Sequence, residues 1–305
     1  MSDDIPFDKN LPLPPGVPEE VLPGVRRMVA PNPSPFTFTG TVSYLVGIDR
    51  LAIIDPGPDN AEHVAALLRA IGGATVTHII VTHTHRDHSP AAAAVKAATG
   101  AVTLGEGPHR PARPLHLGET ERLDAGGDQA FQPDRTLADG EIVKGDGWAL
   151  QAVATPGHTA NHLAFGLAGT DVLFSGDHVM AWSTSIVAPP DGSMRDYMNS
   201  LHKLRARPEN MYLPGHGPAV RDAGAFVDHL IAHREAREAA ILRRLGKGPS
   251  DIPDIVRSIY IGLDPRLTRA AGLSVLAHLE DLVARGVVTT EADPRLDGSY
   301  RVAAG

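Results

Sequence analysis

Short apolar runs separated by turn formers occupy the first two thirds of the chain, and helical periodicity takes over afterwards. Residues 41–47 (TVSYLVG) and 51–55 (LAIID) are β-rich runs joined by Ile48-Asp49-Arg50, which predicts a hairpin. Residues 61–70 show apolar positions at helical spacing, and an unbroken apolar strand follows at 78–81. Further strands are predicted at 141–143, 148–154, 163–167, 171–174 and 211–213, with a helix at 196–205 before the last of them. Strands interleaved with helices predict an α/β class in which helices cover sheet.

From about residue 222 the texture is helical (DAGAFVDHLIAHREAREAAILRRL) up to Gly246, with another helix near 255–260. A third is expected from Asp264, which can cap, and Pro265, which suits a first helical position; its apolar face is Leu267, Ala271, Val275, Leu279 and Leu282. Runs at 287–290 and 300–303 flank the turn-forming Asp297-Gly298, so the tail has the order of a winged helix-turn-helix. Arg234, Arg237, Arg243 and Arg244, interleaved with Glu235 and Glu238, are expected on a solvated helix face. Eight prolines between residues 11 and 36 favour an extended arm laid along the domain. Residues 105–140, rich in Pro, Gly, Asp and Arg, are expected to form a lip over a site. The expected division is a main domain, 1–235, with its arm at 1–36, and a small domain at 236–305.

Composition narrows the chemistry. With 42% hydrophobic residues in 305, the chain can bury the core of one main domain and an appendage. No apolar run approaches the roughly 18 to 20 residues of a membrane span, and the start MSDDIPFD lacks a basic-then-apolar leader. A cytoplasmic protein with no membrane partner is therefore expected. The absence of cysteine excludes disulfides, thiolate metal sites and a cysteine nucleophile. A net charge of −8 lacks the footprint of a dedicated nucleic-acid binder. Fifteen histidines stand out, since imidazole is both metal ligand and general base.

The histidines cluster. In Val81-Thr82-His83-Thr84-His85-Arg86-Asp87-His88-Ser89-Pro90, His83 and His85 are two apart, so they leave a strand end on one face about 6 to 7 Å apart, near enough to share an ion. Ser89 and Pro90 are expected to cap and open a helix, which leaves Asp87 and His88 in the tight turn before it. Three more candidates each follow a short apolar strand and a glycine: Gly157-His158, Gly176-Asp177 and Gly215-His216. Five His and two Asp suffice for two ions. Asp177, apart from the local cluster, is the expected bridge, because a carboxylate offers two oxygens. Most other histidines, among them His63, His78, His109, His116, His202, His229 and His233, are expected to be structural.

The H-x-H-x-D-H run at His83 to His88, with His158, Asp177 and His216 following in order, resembles the metallo-β-lactamase superfamily. The resemblance covers roughly residues 42–220 and implies an αββα sandwich with the site at one edge. It further implies that His83, His85 and His158 hold one Zn2+, that Asp87, His88 and His216 hold the other, and that Asp177 bridges them. Iron or manganese suits the same donors. Asp55, in Ile54-Asp55-Pro56-Gly57, resembles the aspartate that orients a ligand histidine in that family. His178 and His162 are candidates for supporting or substrate-facing roles. The tail from Ile259 to Val288 looks like the winged-helix extension of the β-lactamase-like endoribonuclease group.

Two such ions, about 3.5 to 4 Å apart, would ionise a bridging water and polarise the oxygen under attack, with Asp87 as the catalytic residue that steers it. Because the resemblance to lactamases that carry Cys at the Asp177 position fails here, antibiotic hydrolysis is disfavoured. Phosphodiester cleavage of single-stranded RNA is expected first, with a glyoxalase II-like thioester hydrolase or a lactonase acting on a small molecule as alternatives. Residues 236–305 carry ten Lys/Arg against nine Asp/Glu, which is too weak a bias for duplex binding. Packing or homodimerisation through that domain is expected instead. The non-enzymatic alternative is a winged-helix DNA-binding regulator.

Overall fold

The computed structural model describes residues 5–116 and 126–304. Residues 1–4 of the acidic start, and 117–125 within the expected lip, lie outside the described residues.

Two sheets face each other. The first has the order β1-β2-β3-β4-β5-β6-β7, from β1 (Glu19–Leu22), β2 (Val25–Val29), β3 (Val42–Val46), β4 (Arg50–Ile54), β5 (Thr75–Ile80), β6 (Val102–Gly105) and β7 (Arg135–Thr136). The second runs β13-β12-β11-β10-β9-β8, from β8 (Ile142–Lys144), β9 (Ala149–Ala154), β10 (Leu163–Leu167), β11 (Val172–Gly176), β12 (Met211–Pro214) and β13 (Val220–Arg221). Period-two alternation divides each strand between two cores. Tyr44, Ile54 and Ile80 turn inward to meet Leu150, Phe165 and Phe174 of the other sheet. Their neighbours Leu45, Ile53 and Ile79 turn outward onto α1 (Ala61–Ile71) and α2 (Ala91–Thr99). On the far side, Val153, Ala164, Leu173 and Tyr212 pack against α3 (Met194–Arg205) and the first half of α4 (Ala223–Leu245). The result is the expected helix-sheet-sheet-helix sandwich.

The tail forms its own core. Ile255 and Val256 of α5 (Ile252–Ile259) and Val275, Leu279 and Leu282 of α6 (Thr268–Ala284) meet Val288 of β15 (Val288–Thr290) and Tyr300 of β16 (Ser299–Val302). β16 lies between β15 and β14 (Ser250–Asp251), completing the wing. Ile241 and Leu245 of α4 belong to this core, whereas Phe226, Val227 and Leu230 belong to the sandwich. One helix thus serves both cores, and position 235 falls in its middle.

Three local expectations need correction. Asp264 does cap, accepting from the Arg266 amide, but it opens a 3-10 turn at Pro265–Leu267, and α6 begins only at Thr268. The Ser89 hydroxyl donates to Asp128 (2.6 Å) instead of capping α2. The proline-rich segment includes the β1-β2 hairpin, with β2 paired to β3; Met28 and Val29 are fully buried although Arg26 and Arg27 mask the alternation.

Candidate metal centre

Every candidate ligand segment follows the C-terminal end of a strand: Asp55 after β4, His83 to His88 after β5, His158 after β9, Asp177 after β11 and His216 after β12. β4-β5 in one sheet and β11-β12 in the other are parallel pairs, so these ends lie at one edge of the sandwich. Backbone bonds stitch the sheets together there, from the Val42 amide to the Gly215 carbonyl (2.7 Å) and from the Leu163 amide to the Thr82 carbonyl (2.7 Å). β5 stops at Ile80, so His83 and His85 stand on the loop beyond it rather than on the strand. Gly157 and Gly215 permit the close approach: a Cβ at Gly157, where φ is +140°, would lie 2.3 Å from the Tyr197 Cα, and one at Gly215 would lie 2.5 Å from Asp177 Oδ1.

All seven candidates converge. His85 Nδ1 lies 3.1 Å from His83 Nε2 and 3.0 Å from His158 Nε2. His216 Nε2 lies 3.2 Å from His88 Nε2, 3.1 Å from Asp87 Oδ2 and 3.2 Å from Asp177 Oδ2. Asp177 stands between the two groups, 3.7 Å from His158 Nε2 and 3.5 Å from His88 Nε2, and its Oδ1 has no hydrogen-bond partner. Ligand atoms of His83, His85 and His158, of His83, His88 and Asp177, and of Asp87, His88 and His216 form three groups able to hold an ion.

The outer nitrogens fix what the inner ones offer. His158 Nδ1 faces the Ile186 carbonyl (2.6 Å) and His216 Nδ1 the Gly40 carbonyl (3.3 Å), so both must donate. His88 Nδ1 faces Asp55 Oδ2 (2.9 Å) and His85 Nε2 faces Asp191 Oδ2 (2.9 Å), again as donors. Thr82 Oγ1 gives its proton to Asp55 (2.7 Å) and so accepts from His83 Nδ1 (3.0 Å). Five imidazole lone pairs therefore point inward at one another and at two carboxylates, an arrangement suited to cations. Without a cation, Asp87 and Asp177 attract protons to that space. Burial opposes charge on His88 and His216, but the carboxylates outweigh it, holding His88 well above the usual imidazole range and raising His216 to about 9. Burial, then the neighbouring His85, lowers His158 to about 4. Despite burial, the histidines keep Asp87 and Asp177 well below the usual carboxylate range.

Asp55, which faces His88 Nδ1, also accepts from the Thr82 amide (2.7 Å). His178 is fully buried against Tyr197, with neither ring nitrogen paired. His162 Nε2 accepts from the Asp177 amide (3.1 Å) while its Nδ1 meets Thr155 (2.8 Å). Sequence reading missed Asp191, which lies beside His109 as well as His85. The only signal at Asp191 is a carboxylate in the Pro-Pro-Asp-Gly turn. Arg234 is likewise not solvated, being only 4% exposed.

The centre opens into a cavity of about 800 Å3 bounded by the sandwich, by α4 and α6, and by the segment between α5 and α6. Trp182, stacked on Phe38 (5.1 Å), lines it with Phe36 and Met180. Leu263, Leu267 and Ala271 line it from the tail domain. Among the described residues, no helix is long and apolar enough to cross a membrane.

A family model described as "Metallo-beta-lactamase superfamily" matches residues 36–216, and one described as "Beta-lactamase associated winged helix domain" matches 252–298. A Caenorhabditis elegans protein named "Beta-lactamase-like protein 2 homolog" is 30% identical over 277 residues, covering 88% of each chain. An "Atrochrysone carboxyl ACP thioesterase" from a Cryptosporiopsis species is 28% identical over 232 residues, covering 74% of this chain and 64% of its own. Among solved structures, a beta-lactamase domain protein from Burkholderia ambifaria shares the fold at TM-score 0.81 and 23% identity, covering 97% of each chain. A metallo-beta-lactamase family protein from Thermus thermophilus superposes at TM-score 0.73 with 25% identity, covering 93% of this chain and all of that one. The chain belongs to the metallo-beta-lactamase superfamily of hydrolases and carries that family's associated winged helix at its C-terminal end.

Proposed function

We propose that the protein is a dinuclear metal-dependent hydrolase of thioesters or esters with a largely apolar acyl group. The observation that carries this reading is the set of converging imidazole lone pairs at the floor of an apolar-walled cavity. His83, His85 and His158 would hold one ion and Asp87, His88 and His216 the other, with Asp177 between them; zinc suits these N/O donors, as iron and manganese do. When bound, such ions supply an ionised water near neutral pH and polarise the oxygen under attack.

The chain's own residues do the rest. Asp55, Thr82, Asp191 and the Ile186 and Gly40 carbonyls orient the imidazoles, while Trp182, Phe36 and Met180 offer apolar surface and exclude water. Asp87, its side chain 26% exposed and held ionised, can orient a reacting water; so strong an acid is a poor proton acceptor at neutral pH. The likeness to a relative named as an acyl carrier protein thioesterase supports an acyl substrate. The phosphodiester reading keeps one support, the cations Lys9, Arg86 and Arg237 along the cavity.

Parallel assays decide between them, using hexanoyl-pantetheine, S-lactoylglutathione, bis-p-nitrophenyl phosphate and single-stranded RNA, each with and without chelator. Thioester turnover that is lost on chelation and exceeds the phosphodiester rates is expected. A higher rate on RNA, or turnover indifferent to chelation, overturns the proposal.

A further inference from the structure

The buried stripe of α4 runs Ala223, Phe226, Val227, Leu230, Arg234, Ile241 and Leu245. At the place in that stripe where helical spacing calls for an aliphatic residue, the chain puts a guanidinium. Arg234 is 4% exposed, donates through Nη2 to the Ser185 carbonyl, and lies over the Tyr197 ring, 5.1 Å from its centroid. Its Nε has no partner, and among the described residues no carboxylate pairs with it. Its surroundings add cations and no counter-charge: His278, 2% exposed and unpaired at both ring nitrogens, is pushed down to about 3 by burial, then by Arg234, and further by the charges of Arg285 and Arg237. A buried cation without a counter-charge is costly, and chains ordinarily avoid it.

Arg234 is also part of the cavity wall, beside Ser185, Tyr260 and Ser274. Ser185, whose carbonyl it holds, donates its hydroxyl to the Asp177 carbonyl (2.5 Å), so the guanidinium stands one residue behind the metal centre.

We infer that Arg234 is an oxyanion-recognition residue of the cleft: the substrate carries a carboxylate or phosphoryl group, away from its scissile bond, that supplies the missing counter-charge. A planar guanidinium donates in a fork that matches either group. The inference rests on the hydrolase reading of the same cleft and adds a charged group to its apolar substrate.

The test uses the full-length metal-loaded protein and its R234Q and R234K variants. Three substrates form two pairs: hexanoyl-pantetheine against adipoyl-pantetheine, which puts a carboxylate on the acyl end, and against hexanoyl-4′-phosphopantetheine, which puts a phosphate on the thiol end. For one of the anionic members, the wild type is expected to show a kcat/KM preference of at least about tenfold, the worth of a charge-assisted hydrogen bond, carried mainly by KM. That ratio falls to near unity in R234Q and is intermediate in R234K. Absence of the preference in the wild type, its survival in R234Q, or an equal loss on all three substrates overturns the inference; the last outcome would mean that Arg234 only braces Ser185. If no thioester is hydrolysed, the proposed function fails by itself, and calorimetric binding of adipate decides this inference: about tenfold weaker binding to R234Q supports it, and equal binding overturns it. If R234Q melts early, the same ratios and affinities in R234K decide.

Discussion

Asp55 touches no candidate ligand space, yet an Asp55→Asn substitution tests the whole account of how the centre is oriented. The carboxylate is 2% exposed and accepts three hydrogen bonds: Oδ1 from the Thr82 amide (2.7 Å), Oδ2 from Thr82 Oγ1 (2.7 Å) and from His88 Nδ1 (2.9 Å). An asparagine fits the same volume and tolerates the left-handed φ of 50° at this position, so backbone strain does not change. Hydrogen-bond polarity does. The Thr82 amide cannot turn, so the asparagine oxygen must stay at the Oδ1 position and its NH2 must take the Oδ2 position. That NH2 faces His88 Nδ1, forcing the imidazole to carry its proton on Nε2, in the direction of the ion. It also makes Thr82 Oγ1 accept where it had donated, which frees the hydroxyl proton to turn toward His83 Nδ1 and moves that ring's proton to Nε2.

Two of the five inward lone pairs are therefore compromised by one buried atom. Loss of an orienting partner of this kind weakens metal binding about 10- to 100-fold, or about 1.4 to 2.8 kcal/mol, comparable with one charge-assisted hydrogen bond. We expect a chelator-competition titration of D55N to show that loss, with an unchanged far-ultraviolet spectrum and activity recovered at high metal concentration. D55A should also melt earlier, since alanine at positive φ leaves three buried donors unpaired. Metal affinity in D55N within about twofold of wild type would refute the tautomer reasoning.

Asp177→Asn should retain the fold by circular dichroism but lose at least about a thousandfold in kcat, because a site deprived of its shared carboxylate forfeits several kcal/mol of transition-state stabilisation. Undiminished turnover would remove Asp177 from the centre. Gly157→Ala places a methyl 2.3 Å from the Tyr197 backbone, where neither chain can retreat, so thermal melting should show a loss of about 3 kcal/mol or more. An unchanged Tm would contradict the packing at this point. In chelated protein, His216 is raised to about 9, above the ordinary imidazole value. Its contribution of about 3 kcal/mol is fully present below that value and lost as pH rises through 9. The Tm of the chelated protein should accordingly fall between pH 7 and 10, and a flat or rising profile would show that Asp87 and Asp177 do not hold that proton.

Eight of the thirteen sandwich strands, β3 to β5 and β8 to β12, were legible because they are short runs of β-branched and aromatic residues closed by turn formers, a local pattern; β1, β2, β6, β7 and β13 were not, being short, charged or set in irregular surroundings. The candidate ligands were legible for a related reason: each is a His or Asp in the loop that follows a strand and, at 158, 177 and 216, directly after a glycine that close packing requires. What supports those ligands was not. Asp191 meets His85 across 106 residues, Thr82 reads as one more strand residue, and His162 holds the Asp177 amide from another strand's end, so only the folded chain assigns them. Arg234, which sequence pattern places on a solvated face, is buried for a like cause. A helix packed against one core shows a single apolar stripe, but α4 belongs first to the sandwich and then to the tail, so charged residues lie on more than one side of it. Periodicity could not separate an arginine facing water from one facing a cavity; its burial and its unpaired charge do. The features that local pattern fails to reveal are those at which two cores meet, and in this chain the cavity that opens from the candidate metal centre lies along that junction.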